Sequence, residues 1–121
     1  MYNRLTTQWD HHPPGTLVVA VAGDVDAGTA PRLTDAISTA RAENADASHL
    51  LLDLTAVTFL DSSGLAVLVE TASTCNRAGQ SLLLIANTSS VLRPLQLTGL
   101  DEILPITAKH AAAPVTPATA N

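Results

Sequence analysis

The fold of this chain is decided at residues 57–65, VTFLDSSGL, which lie between a predicted buried strand and a predicted amphipathic helix. Before this stretch, residues 49–54 are almost continuously apolar, as is typical of a strand whose sheet is covered by helices. After it, apolar residues recur at helical spacing and form one face, namely Leu65, Leu68, Val69, Ala72 and Cys75. The pattern therefore predicts a strand, a short loop and a helix.

Three polar residues stand where this helix should begin: Asp61, Ser62 and Ser63. Each is a residue type that caps helix N-termini well, so capping is the simplest role for both serines. A helix N-terminus also has free amide donors and favours negative charge, and a phosphate on Ser62 would be compatible with the domain. Gly64, in the first turn, is expected to leave Ser62 open to an approaching protein backbone.

On the amino-terminal side, Val and Leu dominate residues 16–22, which predicts a buried strand that ends at the breaker pair Gly23-Asp24. A short edge strand is predicted before it, over residues 5–9. Thr29 is expected to cap the next helix, which should end near Asn44. That helix has Pro31 in its first turn, and its apolar face consists of Leu33, Ile37 and Ala40.

On the carboxyl side, residues 81–86 are predicted to form a buried strand and residues 103–107 a last short strand. Between them a short helix is predicted to begin at Ser89 or Ser90. Pro94 falls inside this helix and removes a backbone hydrogen bond unless it lies in the first turn. Strands and helices thus alternate along the chain.

This alternation predicts a layered α/β domain with some parallel strand pairing. The 121 residues suffice for one domain with one core. Hydrophobic residues make up 46% of the chain and aromatic residues only 2%, so the core should be built from Leu, Val, Ile and Ala. Residues 108–121, rich in Ala, Pro and Thr, are expected to form a mobile tail.

Composition argues against several classes of partner. The formal net charge is −5, which disfavours binding to nucleic acid or to an anionic membrane surface. Cys75 is the single cysteine, so no disulfide can form within the chain, and a reducing compartment fits best. The first ten residues contain no apolar signal core, and no apolar run approaches the length of a spanning helix. We expect a cytoplasmic protein.

Catalytic and cofactor motifs are missing from the sequence. It contains neither the Gly-x-Ser-x-Gly pattern of a nucleophile elbow nor the glycine patterns of phosphate and dinucleotide loops. His11 and His12 are adjacent and have no third ligand spaced near them, so a metal site is not expected. We therefore expect no enzyme activity, no cofactor and no metal.

Three motifs in order resemble the STAS domain family, in particular its anti-sigma factor antagonists. They are the Asp-Ser-Ser-Gly stretch at residues 61–64, a Gly-acidic-x-Asp turn at residues 23–26, and Leu-Thr-Gly-Leu at residues 97–100. The resemblance covers residues 5–107. It implies a single-domain STAS fold, with a mixed β-sheet and helices packed against it.

The resemblance also implies a function. In the anti-sigma factor antagonists of this family the serine after the aspartate is phosphorylated, which corresponds to Ser62. The unphosphorylated protein binds an anti-sigma factor that is also its serine kinase, and a serine phosphatase restores this state. The remaining residues expected at the partner surface are Asp24, Asp26, Asp61, Ser63 and Gly64.

Two other functions stay open at this point. The chain could be a STAS docking subunit of a larger transport or stress-signalling complex, in which case phosphorylation would be absent or incidental. It could also be a small-ligand sensor whose loop before the helix binds a nucleotide or an anion. Equilibrium binding of nucleotides to the isolated domain separates the sensor from the switch.

Overall fold

The computed structural model describes residues 4–12 and 14–108. A 3-10 turn at Leu100–Glu102 precedes the last strand. The other elements follow in the order β1 Thr6–His12, β2 Thr16–Val25, α1 Ala30–Glu43, β3 His49–Leu60, α2 Ser62–Arg77, β4 Ser81–Ile85, α3 Ser89–Thr98 and β5 Ile106–Thr107. Apart from Ala108, the predicted tail lies outside the described residues.

The five strands form one sheet in the order β1-β2-β3-β4-β5. β1 pairs antiparallel with β2, and the three other pairings are parallel. Parallel neighbours need a crossover connection, and α1, α2 and α3 supply one each. The sheet is therefore mixed, and the predicted α/β fold with helices packed on a mixed sheet is confirmed.

The core is aliphatic, as the composition predicted. Alternate residues along β2 and β3 are fully buried, namely Leu17, Val19, Val21, Leu50, Leu52 and Leu54. Leu33 of α1, Leu68 of α2 and Leu95 of α3 are buried as well. Close packing of branched side chains between helices and sheet thus stabilises the domain without an aromatic centre.

β2 and β3 are longer than predicted. β2 continues through Gly23-Asp24 to Val25, and β3 runs to Leu60 instead of ending at residue 54. The prediction that Gly23-Asp24 ends the strand is wrong, because Gly23 adopts a φ of 96° beside a register shift and pairing then resumes. The predicted loop before α2 is consequently strand.

α2 confirms most of its predicted apolar face. Leu65, Leu68 and Cys75 are buried, but Val69 is 41% exposed, so its place in the core was wrongly predicted. Val67 and Thr71 are buried, and belong to the face that contacts the rest of the domain. Compared with the prediction, the helix is therefore rotated about its axis so that Val67 and Thr71 face the domain and Val69 faces solvent.

The helix starts differ in detail from the predictions. α3 has Thr88 at its N-cap position, one residue before the predicted serines, and Pro94 lies in its interior. Thr29 occupies the N-cap position of α1, but its side chain makes no capping hydrogen bond. Gly99 ends α3 in the left-handed conformation, with a φ of 77°. The predicted last strand is shorter, since β5 spans only Ile106–Thr107.

Cys75 lies in the interior, and the loss of hydration on burial raises the pKa of its thiol. Its Sγ donates to Oε1 of Gln80 over 3.2 Å, and Nε of Arg41 donates to the same oxygen over 2.8 Å. A buried thiol with a raised pKa carries little thiolate at neutral pH. The thiol should therefore be unreactive in the folded protein.

We expect a maleimide or iodoacetamide to label Cys75 slowly in the native protein and rapidly in denaturant. Mass spectrometry of intact protein over time measures both rates, and the unfolded chain is the internal control. Equal native and denatured rates would contradict the buried position of this thiol.

Candidate partner-binding site at the start of α2

The carboxyl ends of β2 and β3 bring two motif segments together. The strands are parallel neighbours, and Val25 of β2 pairs with Leu60 of β3. Just beyond this pair, the amide of Asp61 donates to the carbonyl of Val25 over 3.2 Å. Residues 23–26 and 61–64, which are far apart in sequence, therefore lie side by side at one end of the sheet.

Asp61 is the N-cap of α2. Its Oδ1 accepts from the amide of Ser63 over 2.9 Å and from the amide of Gly64 over 3.3 Å. The backbone of Asp61 is extended, as expected for a capping residue. Of the three residues that could have capped this helix, the aspartate does so, and both serines are free of that role.

Ser62 is the first residue of α2, and its side chain is exposed. Within residues 4–12 and 14–108, its hydroxyl has no hydrogen-bond partner. Ser63, one position later, is only partly exposed. An exposed, uncommitted hydroxyl at a helix N-terminus is accessible to a kinase, and the nearby amides favour the negative charge that a phosphate would bring.

Replacing Asp61 by Ala should destabilise the domain by about 1 kcal/mol, the usual loss for an N-cap. Asp61→Asn retains a capping oxygen and should stay close to the wild type, so it is the matched control. Chemical denaturation of the three proteins measures the difference. An Asp61→Ala protein as stable as the Asn variant would show that the cap contributes nothing.

Asp24 is buried, with 9% of its surface exposed. Its Oδ1 accepts from the hydroxyl of Thr58 on β3 over 2.6 Å, and its carbonyl accepts from the hydroxyl of Thr29 over 2.8 Å. Asp24 therefore helps to join β2, β3 and the start of α1. This burial limits direct contact with a partner, and the predicted contact stays a prediction.

Asp26 shapes the turn before α1. Its Oδ1 accepts from the amides of Gly28, over 2.9 Å, and Thr29, over 3.1 Å. The Thr29 hydroxyl accepts from the Asp26 amide over 2.9 Å, so it is turned back into this turn and away from the helix amides that it was predicted to cap. Asp26 is partly exposed, and its predicted contact with a partner also remains a prediction.

Gly64 is buried and lets α2 approach the strands closely. A Cβ atom at this position would collide with Cδ1 of Leu60 and would lie 2.9 Å from Cγ1 of Val25. The glycine is required by packing, whereas the sequence had suggested a need for access to Ser62. Its predicted contact with a partner is untested, and its burial leaves little surface for one.

Phe59 was missed as a surface residue. It pairs with Asp24 across the two strands, and its side chain is 49% exposed. It stands in an apolar stretch of the sequence, so composition gave no sign of exposure, and only the lengthened β3 brings it to the surface beside the motif. Partners often anchor on exposed aromatic side chains.

Among residues 4–12 and 14–108, no group of three or more His, Cys, Asp or Glu side chains is arranged to hold a metal ion. Asp53 serves the local structure, since its Oδ1 accepts from the amide of Thr55 over 3.0 Å and from the Thr55 hydroxyl over 2.7 Å. Within the same described ranges, no helix is long and apolar enough to cross a bilayer.

Comparison with known proteins agrees with this geometry. Residues 10–113 match the STAS domain family. The anti-sigma-F factor antagonist RsfB of Mycobacterium tuberculosis is 40% identical over 95 residues, which cover 77% of this chain and 72% of RsfB. The anti-sigma-B factor antagonist of Listeria monocytogenes is 32% identical over 88 residues, covering 73% and 75% of the two chains.

Solved structures give the same result. The crystal structure of an anti-sigma factor antagonist from Mycobacterium paratuberculosis superposes with a TM-score of 0.78 at 35% identity, covering 88% of this chain and 87% of the other. Family match, sequence identity and fold thus agree with the three motifs. The chain belongs to the STAS domain family, among the anti-sigma factor antagonists.

Proposed function

We propose that this protein is a phosphorylation-controlled anti-sigma factor antagonist. Unphosphorylated, it binds an anti-sigma factor that has serine kinase activity and thereby frees a sigma factor. Phosphorylation of Ser62 by that kinase breaks the complex, and a serine phosphatase restores it. The observation that carries the proposal is the exposed hydroxyl of Ser62 at the first position of α2, left free because Asp61 caps the helix.

The physical basis of the switch is local. A phosphate brings a charge of about −1.5 to −2 at neutral pH. It would stand beside Asp61 and near Asp26 at the carboxyl ends of β2 and β3, in a protein whose net charge is already −5. The helix N-terminus tolerates that charge, so the domain stays folded while a docked partner meets repulsion and a desolvation cost.

We propose that the partner surface is centred on Ser62. The exposed and partly exposed residues around it, Asp26, Asp61, Ser63 and Phe59, are the direct contacts. The two buried residues, Asp24 and Gly64, act by holding the strand ends and α2 in place. Substitution at the exposed group should change affinity, and substitution at the buried pair should first change stability.

The proposal assigns the chemistry to the kinase and the phosphatase, and ATP is the cofactor of the kinase. This chain supplies the acceptor hydroxyl and the docking surface. Relatives named as anti-sigma factor antagonists support a regulatory role. We propose that the protein acts in the cytoplasm, where sigma factors work.

The experiment is to titrate the unphosphorylated protein into a purified complex of an anti-sigma factor and its sigma factor. We expect the sigma factor to be released. Native mass spectrometry of the mixture, or fluorescence anisotropy of a labelled sigma factor, measures this release. Binding of the isolated domain to nucleotides should be absent under the same conditions. Nucleotide binding without sigma factor release would overturn the proposal in favour of a small-ligand sensor.

A further inference from the structure

The two edges of the sheet differ in length and exposure. β5 forms one edge and has only two residues, and very short edge strands resist pairing with another chain. β1 forms the other edge and has seven residues, six of them exposed. Within the described residues, β1 pairs with β2 only, and its register runs without a shift from Thr6 to His12.

Most of the usual protections of an edge strand are missing from β1. The strand sequence TTQWDHH contains no lysine, arginine or proline, its one acidic residue is the exposed Asp10, and its regular register shows no bulge. Its central residue, Trp9, is a large apolar side chain that is 46% exposed. A long, regular edge with an exposed aromatic residue at its centre is a template for adding another strand.

We propose that β1 pairs with β1 of a second copy of this chain, antiparallel and centred on Trp9, so that one sheet continues through a symmetric dimer. In this register Gln8 of each copy lies opposite Asp10 of the other, and the Gln8 amide can donate to the Asp10 carboxylate. Thr6 lies opposite His12 in the same way. A twofold interface of this kind forms every such contact twice.

Charge selects this register over the one shifted toward the carboxyl end. Side chains alternate between the two faces of a strand. A different register that keeps every side chain on the same face of the joined sheet must therefore shift one strand by two residues relative to the other. Such a shift places Asp10 opposite Asp10 of the second copy, and directly opposed like charges destabilise a strand pair. In the proposed register, Asp10 meets the neutral Gln8, and the two Trp9 side chains meet at the centre.

The dimer leaves the partner surface accessible, because β1 lies at the edge of the sheet and Ser62 follows the central strand β3. The inference is therefore independent of the proposed function. Sedimentation equilibrium from low to high micromolar concentration should give a mass that rises toward twice the 12.5 kDa of one chain. Emission of Trp9, the single tryptophan, should shift to shorter wavelength over the same range.

Two substitutions at one exposed position test the register. Gln8→Lys places an opposite charge across from Asp10 twice and should tighten the dimer about threefold or more, whereas Gln8→Glu should weaken it by a similar factor. Gln96, exposed on α3, provides the control: Gln96→Lys and Gln96→Glu make the same changes in net charge away from the edge and should have no effect.

Three results would overturn the inference. A mass of one chain at every concentration would exclude the dimer. A dimer weakened equally by Gln8→Lys and Gln8→Glu would exclude this register, and a dimer unaffected by either would place the interface elsewhere. Circular dichroism of each variant shows whether the monomer is still folded.

Discussion

Ser62→Asp should weaken binding to the anti-sigma factor by about 10- to 100-fold, equivalent to about 1.4–2.8 kcal/mol. The added carboxylate would stand beside Asp61 at the centre of the proposed surface, and opposed or desolvated like charges at an interface cost energy of this order. Ser62→Ala removes the acceptor without adding charge and should bind like the unphosphorylated wild type. Isothermal titration calorimetry with the purified anti-sigma factor measures all three affinities.

Ser62→Asn is the matched control, because asparagine has the size of aspartate without its charge. It should bind much more tightly than Ser62→Asp. An aspartate at the first position of a helix also interacts favourably with the helix dipole, so Ser62→Asp should be at least as stable as the wild type in thermal unfolding. Equal affinities of the Asp and Asn variants would show that size matters here, and would contradict a charge-operated switch.

Gly23→Ala should destabilise the domain by about 2–5 kcal/mol, the largest stability effect that we expect. Gly23 has a φ of 96°, in the region that costs a residue with a Cβ about 1–2 kcal/mol. The added Cβ would also collide with the carbonyl oxygen of Arg4 and lie 2.7 Å from the carbonyl carbon of the same residue. Overpacking of this kind costs about 1–3 kcal/mol. Denaturant unfolding, monitored by circular dichroism, measures the loss.

Gly79→Ala separates the two causes. Gly79 has a similar φ of 71°, but no atom lies within 4 Å of the position that its Cβ would take. The Gly79→Ala variant should lose only the backbone part of the free energy of unfolding, about 1–2 kcal/mol. If Gly23→Ala costs no more than Gly79→Ala, the collision of the added Cβ with Arg4 adds nothing to the backbone cost, which would contradict this prediction.

The sequence predicted a strand followed by a helix around residues 57–65, and the structure has β3 and α2 there, because the signals for both elements are local. Residues 57–65 join a strand pattern to a helix pattern, and the polar residues at the junction had to meet the first turn of that helix. The aliphatic core was equally predictable, since a chain with 2% aromatic residues has few other side chains to bury. These features depend on neighbouring residues or on overall composition.

The misplaced strand ends have a different cause. Gly23 and Asp24 usually interrupt a strand, but here pairing with β3 resumes after a register shift. That pairing joins Asp24 to Phe59, which is distant in sequence, and no periodicity in either segment encodes it. The exposure of Phe59 follows from the same long-range pairing and was missed for the same reason.

The roles of individual polar residues also depend on contacts across the fold. Asp24 was predicted at the partner surface from its motif alone, and its carboxylate accepts a hydrogen bond from Thr58, which lies 34 residues away in sequence. The choice of Asp61 as the cap of α2, over two adjacent serines of suitable type, depends on the extended backbone where β3 ends. Residue type alone left three candidate capping residues, and the backbone conformation at the end of β3 determines that Asp61 is the cap.

The most direct test of the central claim is tandem mass spectrometry of the protein after incubation with ATP and a purified anti-sigma factor kinase. The account predicts phosphate on Ser62, its loss in Ser62→Ala, and its retention in Ser63→Ala. Phosphate on Ser63, or on another residue while Ser62 stays unmodified, would contradict the assignment of Ser62 as the acceptor. No phosphate with any anti-sigma factor kinase of the same cell would contradict the switch itself.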